Sequence, residues 1–196
     1  MQVTINNKAL SLTRIGAGTF ARVYKDDVTD RVYAFIPRVK WTNEQELSKE
    51  ALSLISGQHI PAIVKHDPAY VPRIGYCDVY SMPLYHSLTG EAKKQAAELC
   101  RAYRKFVDTT QTHKLLPYWY NVALLEFLKT NGIPDSICDA IDDIMSMCAH
   151  YGQHYMLEFG IRNMKQDAAG NLILLDITFN RKYFMQLMRR KMGIAS

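Results

Sequence analysis

Apolar and polar residues alternate over most of the first eighty or so positions, then recur every three to four residues from about Gly90 to Tyr155. Alternation predicts strands with one buried face, and recurrence at i, i+3 and i+4 predicts amphipathic helices. Leu10, Leu12 and Ile15 precede a glycine pair, and Val23 and Tyr24 follow it, so two strands joined by a turn are expected around Gly16 and Gly18. One amphipathic helix interrupts the strands, with Leu47, Ala51 and Leu54 on one face. The later stretch reads as three helices. The first runs from Glu91 to near Asp108, and the second from Trp119 to Lys129, with Asn131-Gly132 as its stop. The third follows Pro134-Asp135 and carries Ile137, Ile141, Ile144, Met145 and Cys148 at helical spacing. A loop, two short strands and a helix from Lys182 to Met192 come last. The fold class expected is α+β, with a β-rich part over about 1–84 and a mainly helical part over about 85–196.

Composition narrows this picture only slightly. The chain has 196 residues, 48% apolar and 22% charged, which fits one soluble domain or two small lobes sharing a cleft. No apolar run approaches a membrane span and the first seven residues lack the apolar core of a signal peptide, so a cytoplasmic protein is expected. Cys77, Cys100, Cys138 and Cys148 show no ligand spacing and read as buried thiols. His150 and His154 lie one turn apart without a third ligand, so packing and solvent roles are assigned to them. Tyr118, Trp119 and Tyr120 read as core or a helix-entry staple. The net charge of +5 is mild and spread out, which argues against nucleic acid as a partner. The tail from Arg181 to Lys191 reads as a cationic amphipathic helix, either a solvated face or a surface for an acidic partner or nucleic acid.

Two constellations carry chemistry. Ile15-Gly16-Ala17-Gly18-Thr19-Phe20-Ala21-Arg22-Val23-Tyr24 is a glycine-rich strand–turn–strand of the kind that can close over phosphates. Taken alone, such a pair is more often an ordinary hairpin. Far along the chain, Glu158 stands five residues before Asn163, and an apolar strand Leu172-Ile173-Leu174-Leu175 ends in Asp176. An acid, an amide and a second acid in this order around a Gly170-Asn171 turn match a phosphoryl-transfer loop and its metal site.

On these motifs the chain resembles the eukaryotic-like protein kinases, and most closely the short serine/threonine kinases that T-odd lytic phages make early in infection. The resemblance covers about Leu10 to Asp176. It implies a compact two-lobe kinase-like fold, cut short after Asp176, that transfers phosphate from ATP with Mg²⁺ to Ser/Thr of host proteins in the host cytoplasm. It places Gly16 and Gly18 over the phosphates, with Ala21 in place of a third glycine and Val23 beside them. Asn43 to Ser56 becomes the regulatory helix bearing Glu50, and Gly57 to Val64 the connector into the fourth strand. Val79 to Leu84 becomes the fifth strand and hinge, with Met82 and Leu84 against adenine. Glu158 falls on the catalytic acid, while Asn163 and Asp176 fall on the metal ligands.

The departures are equally specific. The strand-three lysine that grips the phosphates is replaced by Ala34 or Ile36, and Arg38 lies further along beyond Pro37. Arg22 or Lys25 on strand two are the alternative cations. The catalytic Asp has become Glu158, a displacement of about a methylene, and misplacement by ~1 Å can cost on the order of a hundredfold in rate. Two other readings therefore stay open: a pseudokinase that binds a host factor, and a small-molecule phosphotransferase of the aminoglycoside type. The sequence leaves the oligomeric state undetermined.

Overall fold

A computed structural model describes residues 1–17, 21–38, 49–110, 116–151 and 154–181. The chain divides into two compact units, residues 1–54 with 62–84, and residues 55–61 with 85–196. The class is α+β.

The first unit is a six-stranded antiparallel sheet of β1 (Gln2–Ile5), β2 (Lys8–Ala17), β3 (Arg22–Asp26), β4 (Arg31–Pro37), β5 (Val64–Val71) and β6 (Gly75–Pro83), in the order β1-β2-β3-β4-β6-β5. Asn6 and Asn7, at φ 47° and 62°, make the two-residue turn between β1 and β2, a conformation asparagine tolerates better than most residues. The sheet curls until β1 and β5 lie against each other. Asn6 spans the gap, accepting a hydrogen bond from the Asp67 N–H at 3.3 Å and meeting His66 Nδ1 at 3.4 Å. Alternation then sorts the side chains. Leu10, Leu12, Tyr24, Tyr33, Phe35, Cys77 and Val79 fill the inside of the curl, and Tyr24 and Phe35 pack edge to face at 5.6 Å.

The opposite face carries a row set by register. Val23 pairs with Ala34, Ala34 with Tyr80 and Tyr80 with Lys65, so these four share one side of the sheet. Pairing continues through Pro37, opposite Cys77, and the Arg38 N–H still donates to the Tyr76 carbonyl, so Pro37 does not end the ladder as its chemistry suggests. Of the helix expected over Asn43 to Ser56, residues 43–48 lie outside the described residues. Residues 49–52 are helical, and the chain turns at Ser53, whose hydroxyl donates to the Glu50 carbonyl. That early stop leaves Leu54 61% exposed, off the apolar face assigned to it.

The second unit contains α1 (Gly90–Thr109), α2 (Pro117–Thr130), α3 (Asp135–Tyr151), β7 (Tyr155–Leu157), β8 (Met164–Gln166), β9 (Leu172–Leu174) and β10 (Thr178–Asn180). Pro117 at the first turn of α2 uses a position where the missing N–H costs nothing. Gly132, at φ 76°, ends the helix in the left-handed conformation a side chain would resist, and Ile133 N–H returns to the Leu128 carbonyl. Leu124, Leu128, Ile137, Ile141 and Ile144 are among the fully buried side chains. Tyr120 is buried as expected, but Tyr118 and Trp119 are exposed and belong to no core. The four cysteines are buried and unpaired, and burial pushes the Cys77 and Cys148 thiols up to about 11. The helix expected from Lys182 to Met192 lies outside the described residues. None of the described helices is long and apolar enough to cross a membrane.

Candidate functional site

Four short strands of the second unit bring the second constellation together. β7 pairs antiparallel with β10, and β8 with β9. The β8–β9 hairpin turns at Asp167 to Asn171, where the Asp167 carboxylate accepts from the backbone N–H groups of Ala169 and Asn171 and from the Asn171 amide. These bonds, the Asn171 side chain first, hold the Asp167 carboxyl below its ordinary range. Gly170 supplies the left-handed residue at φ 85°.

At the other end of the hairpin, the Asn163 carbonyl accepts from Leu175 N–H at 3.0 Å and from Asp176 N–H at 3.2 Å. The Glu158 N–H donates to Ile177 at 2.8 Å. Residues thirteen apart in sequence, Asn163 and Asp176, are thus locked backbone to backbone, with Glu158 tied to the residue after Asp176. Asp176 is exposed, and Glu158 and Asn163 are half-buried. A turn of 3₁₀ helix over Ile161–Asn163 carries the chain between Glu158 and Asn163.

Two positioning residues have no counterpart in the sequence reading. Asn121 on α2 is 5% exposed. Its amide NH₂ donates to the Tyr155 carbonyl at 2.8 Å, and its oxygen accepts from Leu157 N–H at 3.0 Å. β10 covers one edge of β7, and Asn121 satisfies the other as an adjacent peptide group would. His59 does the same for β9. Its ring Nδ1 donates to the Leu172 carbonyl at 2.7 Å, and its own carbonyl accepts from Leu174 N–H at 2.9 Å. Nε2 reaches the Ser136 hydroxyl on α3 at 3.1 Å. A buried polar side chain on an otherwise apolar helix face is the only sequence trace Asn121 leaves.

Two tyrosines feel the charge of Glu158. Tyr120 donates to the Tyr103 hydroxyl at 3.3 Å, and Tyr103 packs edge to face on Phe159. Burial pushes both phenols above their ordinary range, and the Glu158 charge adds to the rise in each.

The first unit holds the other expected site residues. β2 and β3 pair up to Gly16 opposite Val23 and Ala17 opposite Arg22, so the glycine segment is a β-hairpin; Gly18 lies outside the described residues. A bulge between Arg14 and Gly16 leaves Ile15 out of register and 51% exposed. Ala21 and Val23 are half-buried. Met82 is buried opposite Val32, and the Leu84 N–H donates to the Asp30 carbonyl at 2.9 Å, so it is not open to a base.

The expected cations are redistributed. Ala34 and Ile36 are buried in β4. Arg38 bonds the buried Asp78 through Nε and a terminal nitrogen. Lys25 meets Asp30 at 3.3 Å. Arg22 shares the inner side with Tyr24 by alternation, away from Val23 and Ala34. Glu50 instead meets Lys65 Nζ at 3.0 Å, and Lys65 stands in the Val23–Ala34–Tyr80 row. Sequence reading missed Lys65 because only strand pairing places it there.

No group of three or more His, Cys, Asp or Glu able to hold a metal occurs among the described residues. The oxygen donors at hand for a hard cation are the Asp176 carboxylate and the Asn163 amide, a set that suits Mg²⁺, which commonly takes one or two protein oxygens and completes its shell with water and phosphate. Neither a protein-family model nor a curated protein sequence matches this chain.

Proposed function

We propose that the chain is a kinase-like phosphotransferase of two lobes, using ATP and Mg²⁺ to phosphorylate Ser or Thr of proteins, with phage origin and host proteins as targets. One observation carries the reading: the backbone bonds that tie Asn163 to Asp176, and Glu158 to Ile177, the residue after it. Two acids and an amide drawn to one place by backbone bonds suit phosphoryl transfer, since its catalysis is mostly positioning and charge neutralisation. Asp176 and Asn163 would hold the metal, which neutralises phosphate charge when bound. Glu158 orients the acceptor hydroxyl and takes its proton.

The first unit supports the same reading. A Cβ on Gly16 would meet only Val23 Cβ at 3.9 Å, and Gly16 is not left-handed, so the fold itself does not demand glycine there. Room for a close ligand is a reason for it. Lys65 takes the part of the absent strand-three lysine, held by Glu50 as a lysine–glutamate pair requires.

The experiment is transfer of labelled γ-phosphate to the protein itself and to a bacterial lysate. Wild type should label proteins in a metal-dependent way, and Asp176→Ala and Glu158→Gln should each lose about a hundredfold or more. Labelling that survives in Asp176→Ala overturns the reading. Ala34 and Ile36, the two candidates for the lysine position, are both buried and apolar, which favours a second reading, a pseudokinase that binds a host factor. No labelling, together with an ATP-induced rise in melting temperature, selects it.

A further inference from the structure

We propose that one end of the curled sheet in the first unit is a binding site for an organic polyphosphate, separate from Glu158, Asn163 and Asp176. A pocket of about 670 Å³ opens there, within the range of ligand-binding clefts. Arg14 on β2, Arg22 on β3 and Arg73 in the β5–β6 turn line it, over an apolar floor that includes Leu12, Tyr24 and Ile74. All three arginines are exposed at the rim.

Three features point to an anion. No acidic side chain lines the pocket. Among the described residues, none of the three guanidinium groups has a carboxylate or hydrogen-bond acceptor, whereas Arg31 bonds Ser81 and Arg38 bonds Asp78. Like charges gathered without a counter-charge repel one another, and a bound anion relieves that cost. Arg73 also sits at φ 66°, a left-handed position that a long side chain adopts at a cost, and this turn aims it at the same space as Arg14 and Arg22. Guanidinium is the side chain that matches phosphate oxygens two at a time. Three of them at one rim fit a chain of phosphates better than a single one, and the floor of Leu12 and Ile74 accepts the organic part.

The inference does not rest on the phosphotransferase reading, and one set of titrations separates the two. Inorganic tripolyphosphate is titrated calorimetrically, without added metal, into the full chain, an Arg14→Gln/Arg73→Gln variant, an Arg14→Lys/Arg73→Lys variant and Asp176→Asn. Both arginines are exposed, so the variants should melt with wild type. The Gln pair should lose about a hundredfold in affinity, each guanidinium being worth about tenfold or more as a charge-assisted bond. The Lys pair should recover part of it, and Asp176→Asn should bind like wild type. Replacing tripolyphosphate with a nucleoside triphosphate should tighten binding by covering the apolar floor. No saturable binding by wild type, or undiminished binding by the Gln pair, overturns the proposal.

Discussion

Replacing Asn121 with alanine tests whether a single buried amide holds the strand that leads into Glu158. The substitution orphans the Tyr155 carbonyl and the Leu157 N–H, which accept and donate hydrogen bonds of 2.8 and 3.0 Å in a site where Asn121 is only 5% exposed. Each buried group left unpaired costs about 1–3 kcal/mol, so the pair costs roughly 2–6 kcal/mol. For a chain of this size that lowers the melting temperature by about 4–24 °C. The assay is thermal unfolding joined to amide hydrogen exchange, with Leu157 as the reporter, since its N–H loses its acceptor outright. Its exchange should quicken by one to two orders of magnitude, about 1.4 kcal/mol being a factor of ten. If the chain transfers phosphate, kcat should fall with the KM for ATP little changed, because the displaced group is the one facing the acceptor. A variant that melts within about 2 °C of wild type, with Leu157 exchange unaltered, would refute the reasoning.

If the chain transfers phosphate, Lys65→Met should cut the transfer by about a hundredfold while leaving the fold intact, and Lys65→Arg should fall between; labelling by Lys65→Met at the wild-type rate removes Lys65 from the site. Gly16→Ala should melt with wild type or slightly above it, given the 3.9 Å clearance, yet lose protection by ATP in thermal shift. Burial and the nearby Arg31 hold His66 below its ordinary value of 6.5. A depressed histidine takes up its proton later in the folded than in the unfolded chain, so the stability it supports is present above about pH 6.5 and lost as pH falls below it. Denaturant unfolding across that window should show this slope in wild type and lose it in His66→Gln; equal slopes would dismiss the assignment.

Much of the secondary structure was legible because strand alternation and helix periodicity are local. The Gly16–Val23 hairpin, the helix stop at Asn131-Gly132 and the β8–β9 turn all follow from residues a few positions apart. The two strands and turn that bring Asn163 back to Asp176 were legible for the same reason. What eluded the sequence is long-range. Lys65 lies opposite Tyr80 and two strands from Ala34, so only the crossover that puts β6 between β4 and β5 places it in that row. The face that Arg22 takes, opposite to that of Val23, likewise depends on strand register rather than on local sequence. Asn121 and His59 were missed because a side chain that caps a distant strand edge leaves no periodic mark. The exposure of Tyr118 and Trp119 shows that hydrophobic character alone does not assign a residue to a core.

The Asn6 latch has a consequence for how the first unit behaves in crowded solution. Sheets fail by recruiting a neighbour's strand at an open border, and here the two outermost strands are turned toward each other. Cutting that clasp with Asn6→Ala should therefore raise fibril formation at high concentration more than it lowers the melting point, a hazard that thioflavin fluorescence would report.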